Sequence, residues 1–362
     1  MLSRCANSLY WMSRYIERAE NIARLVDVNL QLLLDFRSLD DHALDAHWIP
    51  IVQSSGDEEL FRKLHPRATG HSVTEFLVFA ANNPNSIVSS IGQARENARM
   101  VRDQVTAELW EELNRLYLFL HSPRARELWR ENPSDFFLTI RNGSLLLQGL
   151  TDATVVRNEG WFFIQCGRYL ERADKTSRIL DVRHTSLPAQ GVPKGTPSQA
   201  DALGWAAVLR SCSAWDAYKA LHGAEVQPAL VAEFLLLSDE FPRSVRFCVR
   251  HLNNALRRIS GVHEGRFSND AEKLAGRLLA EFQFSTADDI FDIGLHTYID
   301  VAQAKLNAIG DALFQAYIFQ PFQTPEEHEL RQQEEQQQQS GPGPDCGEPV
   351  ESAPLASTPP RA

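Results

Sequence analysis

The sequence predicts an all-α protein made of two similar halves and closed by a low-complexity tail. Apolar residues recur at helical spacing almost everywhere along the 362 residues, and alternating strand-like runs are scarce. Residues 14–28, Arg-Tyr-Ile-Glu-Arg-Ala-Glu-Asn-Ile-Ala-Arg-Leu-Val-Asp-Val, return at residues 168–182 as Arg-Tyr-Leu-Glu-Arg-Ala-Asp-Lys-Thr-Ser-Arg-Ile-Leu-Asp-Val. Eight of the fifteen positions are identical without a gap, where unrelated chains of ordinary composition share roughly one.

Taken in order, the apolar spacing places helices over residues 3–36, 43–54, 57–64 and 73–81. A long helix over 84–120 opens at Pro84, because proline's fixed φ and missing N–H suit a first turn, and a short helix follows at 123–129. In the stretch 134–184, Gly149 and Gly160 predict either a kink or a break between helices 134–150 and 153–184. Residues 188–198, with three prolines and two glycines, read as a surface loop. Helices then cover 200–212, 214–221, 227–237, 242–260 (opened by Pro242), 268–281 and 286–318. Beyond Pro321 the chain turns rich in Gln, Glu and Pro, and it lacks the apolar residues that would offset the entropy of ordering. The expected organisation is a helical domain over 1–323, with half-repeats at about 1–150 and 151–323, and a disordered tail over 324–362.

Matches beyond the first helix support a duplication. Trp48 and Ser54 stand opposite Trp205 and Ser211, Glu75-Phe76-Leu77 opposite Glu233-Phe234-Leu235, and Pro84-Asn85-Ser86-Ile87 opposite Pro242-Arg243-Ser244-Val245. Arg99 falls opposite Arg257, and the offset drifts only from 154 to 158 residues. That period is far longer than the 20–50 residues of solenoid units, so two half-domains about a pseudo-two-fold axis fit better.

Composition narrows the functional classes. A hydrophobic content of 43% supports a real core, yet no run approaches 18 apolar residues, so no membrane span is expected. The start, Met1-Leu2-Ser3-Arg4-Cys5, lacks the apolar centre of a signal peptide. Cys5, Cys166, Cys212, Cys248 and Cys346 are scattered without zinc or disulfide spacing, which suits reduced thiols in a cytoplasm. A net charge of −11 argues against nucleic-acid binding; about half of it resides in the tail, which has eight acids and two bases from Thr324 onward.

The repeated helix carries the candidate site residues: Arg14, Glu17, Arg18 and Arg24 in the first copy, Arg168, Glu171, Arg172 and Arg178 in the second. At about 100° per residue, Arg14, Glu17, Arg18, Asn21 and Arg24 share one side, and Ile16, Ala19, Ile22, Ala23 and Val26 the other. As a plain solvent face this would be held by weak Arg14–Glu17 and Glu17–Asn21 contacts. A merely solvated face need not keep these charges in register, so two further readings stand beside it. In one, the polar faces of the copies meet, Glu17 pairing with Arg168 or Arg172 and Glu171 with Arg14 or Arg18, a network that sets register. In the other, the arginines line a cleft for carboxylate or phosphate, because a guanidinium grips planar anions with two parallel hydrogen bonds. A glutamate between such cations has a depressed pKa, which suits orienting an amine better than donating a proton.

Other constellations carry less. Asp288-Asp289-Ile290-Phe291-Asp292 has the Asp-Asp-x-x-Asp spacing of magnesium–diphosphate sites in helical isoprenoid enzymes, but Ser285-Thr286 just ahead reads as an N-cap, and acids favour a helix's first turn. Asp40-Asp41-His42 with His47 reads as a solvated loop, Cys5 and Cys166 as packed thiols, and Trp11, Trp48, Trp161 and Trp205 as core anchors. There is no His-Glu-x-x-His, phosphate-cradling glycine loop, nucleophile elbow or dinucleotide fingerprint, so neither a metal nor a cofactor is expected.

Leu9-Tyr10-Trp11, Arg14-Tyr15-Ile16-Glu17-Arg18-Ala19-Glu20-Asn21 and Gly167-Arg168-Tyr169-Leu170-Glu171-Arg172-Ala173-Asp174 resemble the alpha-E family, a bacterial all-helical domain named for its Glu-Arg motif. Ala94-Arg95-Glu96-Asn97-Ala98-Arg99, Gln148-Gly149-Leu150-Thr151-Asp152 and Phe241-Pro242-Arg243-Ser244-Val245 extend the resemblance over about residues 1–320. Ser13 departs from it, standing where the second copy has Gly167. Such proteins occur beside a circularly permuted ATP-grasp protein and a transglutaminase-like peptidase. The resemblance therefore implies an accessory component, without ATP chemistry of its own, of a system that forms or modifies peptide or amide bonds. The alternative is an enzyme acting on that system's product with the Glu-Arg pairs in its active site.

Overall fold

The computed structural model describes residues 1–34, 41–185 and 199–319. The 188–198 loop, Asp40 with the side chains of Asp41 and His42, Cys346 and the tail from 324 lie outside the described residues. The described residues form α1 (Ser3–Leu34), α2 (Asp41–Ser55), α3 (Glu58–Leu64), α4 (Gly70–Thr74), α5 (Ile87–Met100), α6 (Ala107–Leu120), α7 (Pro123–Glu131) and α8 (Pro133–Thr154). After these come α9 (Glu159–Thr185), α10 (Gln199–Ser211), α11 (Trp215–His222), α12 (Pro228–Leu237), α13 (Val245–Ser260), α14 (Asp270–Phe284), α15 (Ala287–Ile293) and α16 (Leu295–Leu313). Two π-helical turns, Glu75–Phe79 and Phe314–Ile318, extend α4 and α16, and no strand occurs among the described residues.

The architecture is centred on α1 and α9, the helices that carry the repeated sequence. They pack along each other, α1 is further covered by α5, α8 and α10, and α9 by α13, α16 and α2. Burial on all sides explains why the polar face of α1 is no solvent face: Ala19 and Val26 are fully buried, and so, within 1%, is Glu17. Gly167 sets how closely the pair approaches. A Cβ there would lie 2.2 Å from the Tyr10 carbonyl oxygen and 3.2 Å from Ser13 Cβ. Ser13 is tolerated on one helix because its counterpart on the other has no side chain.

Several helix limits differ from the sequence expectation. The predicted helix over 84–120 is two helices: Val101 leaves the α-helical region, Arg102 donates to the Val105 carbonyl, and Thr106 caps α6 by accepting from Leu109 N–H. Pro84 and Pro242 do not open helices. They stand two residues ahead of Ser86 and Ser244, whose hydroxyls accept from the Ser89 and Phe247 N–H groups as N-caps. The break in 134–184 falls between Thr154 and Glu159 rather than at either glycine. The span 286–318 is interrupted at Gly294, whose φ of +96° lies in a region that disfavours other side chains. Trp48 and Trp205 are fully buried core anchors, whereas Trp11 and Trp161 are half-buried and border clefts.

A charged seam between two helices

At the contact of α1 with α9 the charges pair across the helices. Glu171 is fully buried and receives Arg14 Nε at 2.7 Å, Arg18 Nε at 2.7 Å and Arg18 Nη2 at 3.0 Å. Lys175 Nζ stands 3.9 Å away. Glu17, on the other helix, takes a two-pronged grip from Arg172, with Nε at 2.8 Å and Nη2 at 2.9 Å. Gln148 of α8 clasps the same pair, donating to Glu17 at 3.0 Å and accepting from Arg172 at 3.0 Å.

The residues flanking this centre also mirror one another. Arg24 pairs with Glu20 and Arg178 with Asp174, one helical turn apart. Arg18 lies 5.4 Å from the Tyr15 ring centre and Arg172 5.8 Å from that of Tyr169, within cation–π range. Arg168 departs from the reciprocal scheme. It binds Asp152 of α8 at 3.1 Å and leaves Glu17 to Arg172, and Arg14 reaches Glu171 instead of its neighbour Glu17.

Three contributors fall outside the repeated segment. Arg243, just ahead of α13, donates to Glu17 at 3.2 Å, Asn21 at 3.1 Å and Glu20 at 2.7 Å. Asn85, at the matching place before α5, accepts from Arg18 at 2.7 Å. Gln148 is the third. Arg243 and Asn85 occupy the same position in the two Pro-x-Ser segments, and Arg243 and Gln148 also fall in stretches that carry the family resemblance.

Electrostatics follow from this geometry. Burial opposes ionisation of Glu17, but Arg172 and Arg243 more than offset it and hold the carboxyl at about 2. For Glu171 burial is likewise outweighed, here by Arg18, Arg14 and Lys175, and its pKa lies far below the usual carboxylate range. Both carboxylates are therefore ionised, saturated with donors and shut away from solvent.

One side of the seam opens. A cleft of about 420 Å³ is bordered by Tyr10, Trp11, Arg14, Asp174, Asn307 and Asp311. Arg14 lies 5.0 Å from the Trp11 ring centre and donates Nη1 to Tyr10 Oη at 3.0 Å. Among the described residues its Nη2 has no acceptor.

A family model for Alpha-E, a predicted alpha-helical domain with a conserved ER motif, matches residues 1–318. The chain belongs to the Alpha-E family. Glu17-Arg18 and Glu171-Arg172 are its only two Glu-Arg dipeptides, and both lie in the seam between α1 and α9. Uncharacterised proteins of Mycobacterium bovis and Mycobacterium tuberculosis are 25% identical to it over 284 residues, covering 71% of this chain and 30% of each relative. The Alpha-E chain thus spans about a third of the length of these relatives. No solved structure matches it significantly.

The remaining sequence candidates lie elsewhere. Asp288, Asp289 and Asp292 are exposed, and Asp289 closes a capping box with Thr286, whose hydroxyl accepts from the Asp289 N–H. Asp181, His296 and Asp300 bring three potential ligand atoms within 4.8 Å, but the carboxylates bracket opposite ring nitrogens of His296 at 2.6 and 3.4 Å. Cys212 and Cys248 are buried and their thiols are pushed up to about 12, which removes the thiolate a nucleophile needs. No helix among the described residues is long and apolar enough to cross a membrane.

Proposed function

We propose that this Alpha-E chain is a helical accessory component of an ATP-grasp-linked system that forms or modifies peptide or amide bonds, working in the cytoplasm where its free thiols stay reduced. In this role it binds a carboxylate-bearing peptide at the Arg14 cleft and partners the ATP-grasp protein and a transglutaminase-like peptidase. The observation that carries the binding role is Arg14 itself: a guanidinium set against Trp11 and Tyr10, anchored through Nε and Nη1, with Nη2 left over beside a 420 Å³ cleft. The cleft itself sets Arg14 beside Asp174 and Asp311, and the seam behind it is cation-rich. Along the seam Glu17, Glu20, Glu171 and Asp174 face Arg14, Arg18, Arg24, Arg172, Arg178, Arg243 and Lys175, an excess of positive charge. Asp311 on the opposite wall offers a carboxylate to a peptide amine.

The enzyme alternative asks more of the same residues. A general acid or nucleophile must be reachable and able to change its protonation state. Glu17 and Glu171 are neither, so a catalytic reading would need other groups. The discriminating experiment is calorimetric titration of the full chain with a short peptide ending in a free carboxylate and with its C-terminal amide. The free acid should bind at least about tenfold more tightly, as expected for a charge-assisted pair with arginine. Equal affinities, or none, would remove the binding role; failure to co-purify with the ATP-grasp protein would remove the partnership.

We also infer that the two halves descend from one duplicated unit. The reciprocal pairing of α1 with α9, the twin N-caps Ser86 and Ser244 and the two buried tryptophans at 48 and 205 support it. An experimental structure whose halves superpose only by a rotation far from two-fold would remove it.

A further inference from the structure

We propose that a second cleft, between α9 and α13, binds a small oxyanion, carboxylate or phosphate, carried on a planar or apolar body. This cleft encloses about 720 Å³ and is bordered by Trp161, Gln165 and Tyr169 of α9 and by His251, Arg257 and Arg258 of α13. It is independent of the Arg14 cleft, which lies against α16.

Its walls hold donors that the protein leaves unused. Gln165 is 97% buried, being 3% exposed, and its Nε2 has no acceptor. The indole N–H of Trp161 and Nε of Arg257 are buried without a partner as well. A buried donor left unsatisfied is destabilising, and three around one cleft call for an acceptor from outside. Trp161, Gln165 and Arg257 all border the cleft, where an incoming oxygen would be the acceptor they lack.

The matching place in the first half sharpens the point. Arg99, opposite Arg257 in sequence, is neutralised by Glu96 at 2.8 Å. The residue 158 positions after Glu96 is Asn254, so Arg257 lacks that carboxylate and keeps only the tip of the exposed Glu264 at 4.0 Å. Basic residues in a last helical turn complement the helix dipole, which accounts for Arg257 and Arg258 as charges. It does not account for a cleft beside them with two further orphaned donors. An apolar body would rest on Trp161, Phe162 and Val262, which also border the cleft beside the stacked rings of Tyr169 and His251, 4.9 Å apart. The His251 ring also packs on Phe247, with centres 4.2 Å apart, and burial with the neighbouring Arg250 and Arg172 lowers its pKa.

The test uses the full chain and three probes: N-acetylphenylalanine, phenyl phosphate and the neutral N-acetylphenylalanine amide. At least one anionic probe should bind saturably and shift the Trp161 indole N–H resonance, with the amide about tenfold weaker or worse. Tighter binding of phenyl phosphate assigns the site to phosphates, and tighter binding of N-acetylphenylalanine to carboxylates. Arg257→Gln should weaken that binding about tenfold, the ordinary loss for one charge-assisted contact. Arg258→Gln, at an exposed position, should weaken it about threefold while leaving the circular dichroism spectrum unchanged. Arg14→Gln should leave the Trp161 shift intact, which separates this site from the peptide cleft. No saturable binding of either anion, or binding that survives both Arg257→Gln and Arg258→Gln, overturns the proposal.

Discussion

Glu171 has no water to fall back on. Its two oxygens are shared between Arg14 and Arg18 at 2.7–3.0 Å, so the neutral Glu171→Gln side chain leaves two buried guanidinium groups facing an amide. Breaking a buried pair from one side costs about 3–5 kcal/mol, and that loss should appear as a lowered urea midpoint with an unchanged m-value. Glu59→Gln is the control: its partner Lys63 is exposed on the same short helix, and the midpoint should not move. The same carboxylates fix the acid response. A group whose folded pKa is depressed contributes stability above its unfolded pKa and loses it as pH falls through the folded value. Glu17 ranges from the ordinary 4.5 down to about 2, so stability should fall steadily between pH 4.5 and 2, and Glu17→Gln should flatten that part of the profile. A wild-type curve level across that window would contradict the assignment. At this scale the sequence speaks clearly only where a charge recurs. Glu17, Arg18, Glu171 and Arg172 stand out because they repeat, whereas Arg243 is hidden because its counterpart is Asn85, a different residue doing a related job with Arg18.

Between elements, one missing side chain decides how close α1 and α9 can come. In Gly167→Ala the new Cβ meets the Tyr10 carbonyl oxygen at 2.2 Å, and the obstacle is backbone within a helix, which cannot swing aside. The helices must separate, and every Arg–Glu distance in the seam lengthens with them. Overpacking of this kind costs about 1–3 kcal/mol even in tolerant cores, and a drop in melting temperature measures it. Gly149→Ala makes the complementary case. It is exposed in α8 with nothing within 4 Å of an added methyl, so relief from glycine's helix penalty should stabilise the protein by up to about 1 kcal/mol. Both glycines interrupt an apolar pattern, and nothing local tells them apart: what distinguishes Gly167 is a helix 150 residues away in the chain. Helix starts are hard to read for a related reason. Proline at 84 and 242 suits a first turn by its own geometry, yet the serine two places on supplies the cap oxygen and sets the boundary.

Over the whole molecule, helix content and the repeat are legible because both are written in short-range patterns, and the central position of α1 and α9 is not. A polar stripe looks the same in sequence whether water or another helix faces it, and only the second copy tips the balance. That central position has a consequence for unfolding. Each seam carboxylate is neutralised by cations from the other half, and α2 packs on α9 while α10 packs on α1, so each half's helices complete the other's core. Separating the halves would expose the surroundings of Trp48 and Trp205 and strand Glu17, Glu171 and their arginines together. Chains of this length often unfold in stages. Here residues 1–319 should unfold in a single transition, with helix loss by far-UV circular dichroism and tryptophan emission following one urea curve. Glu17→Gln combined with Glu171→Gln weakens the coupling without touching either half's own core, so in that variant the two probes should begin to diverge. Two well-separated transitions in the wild-type chain would mean that the halves are independent domains, and the seam would then be a contact between them and not the shared centre of one core.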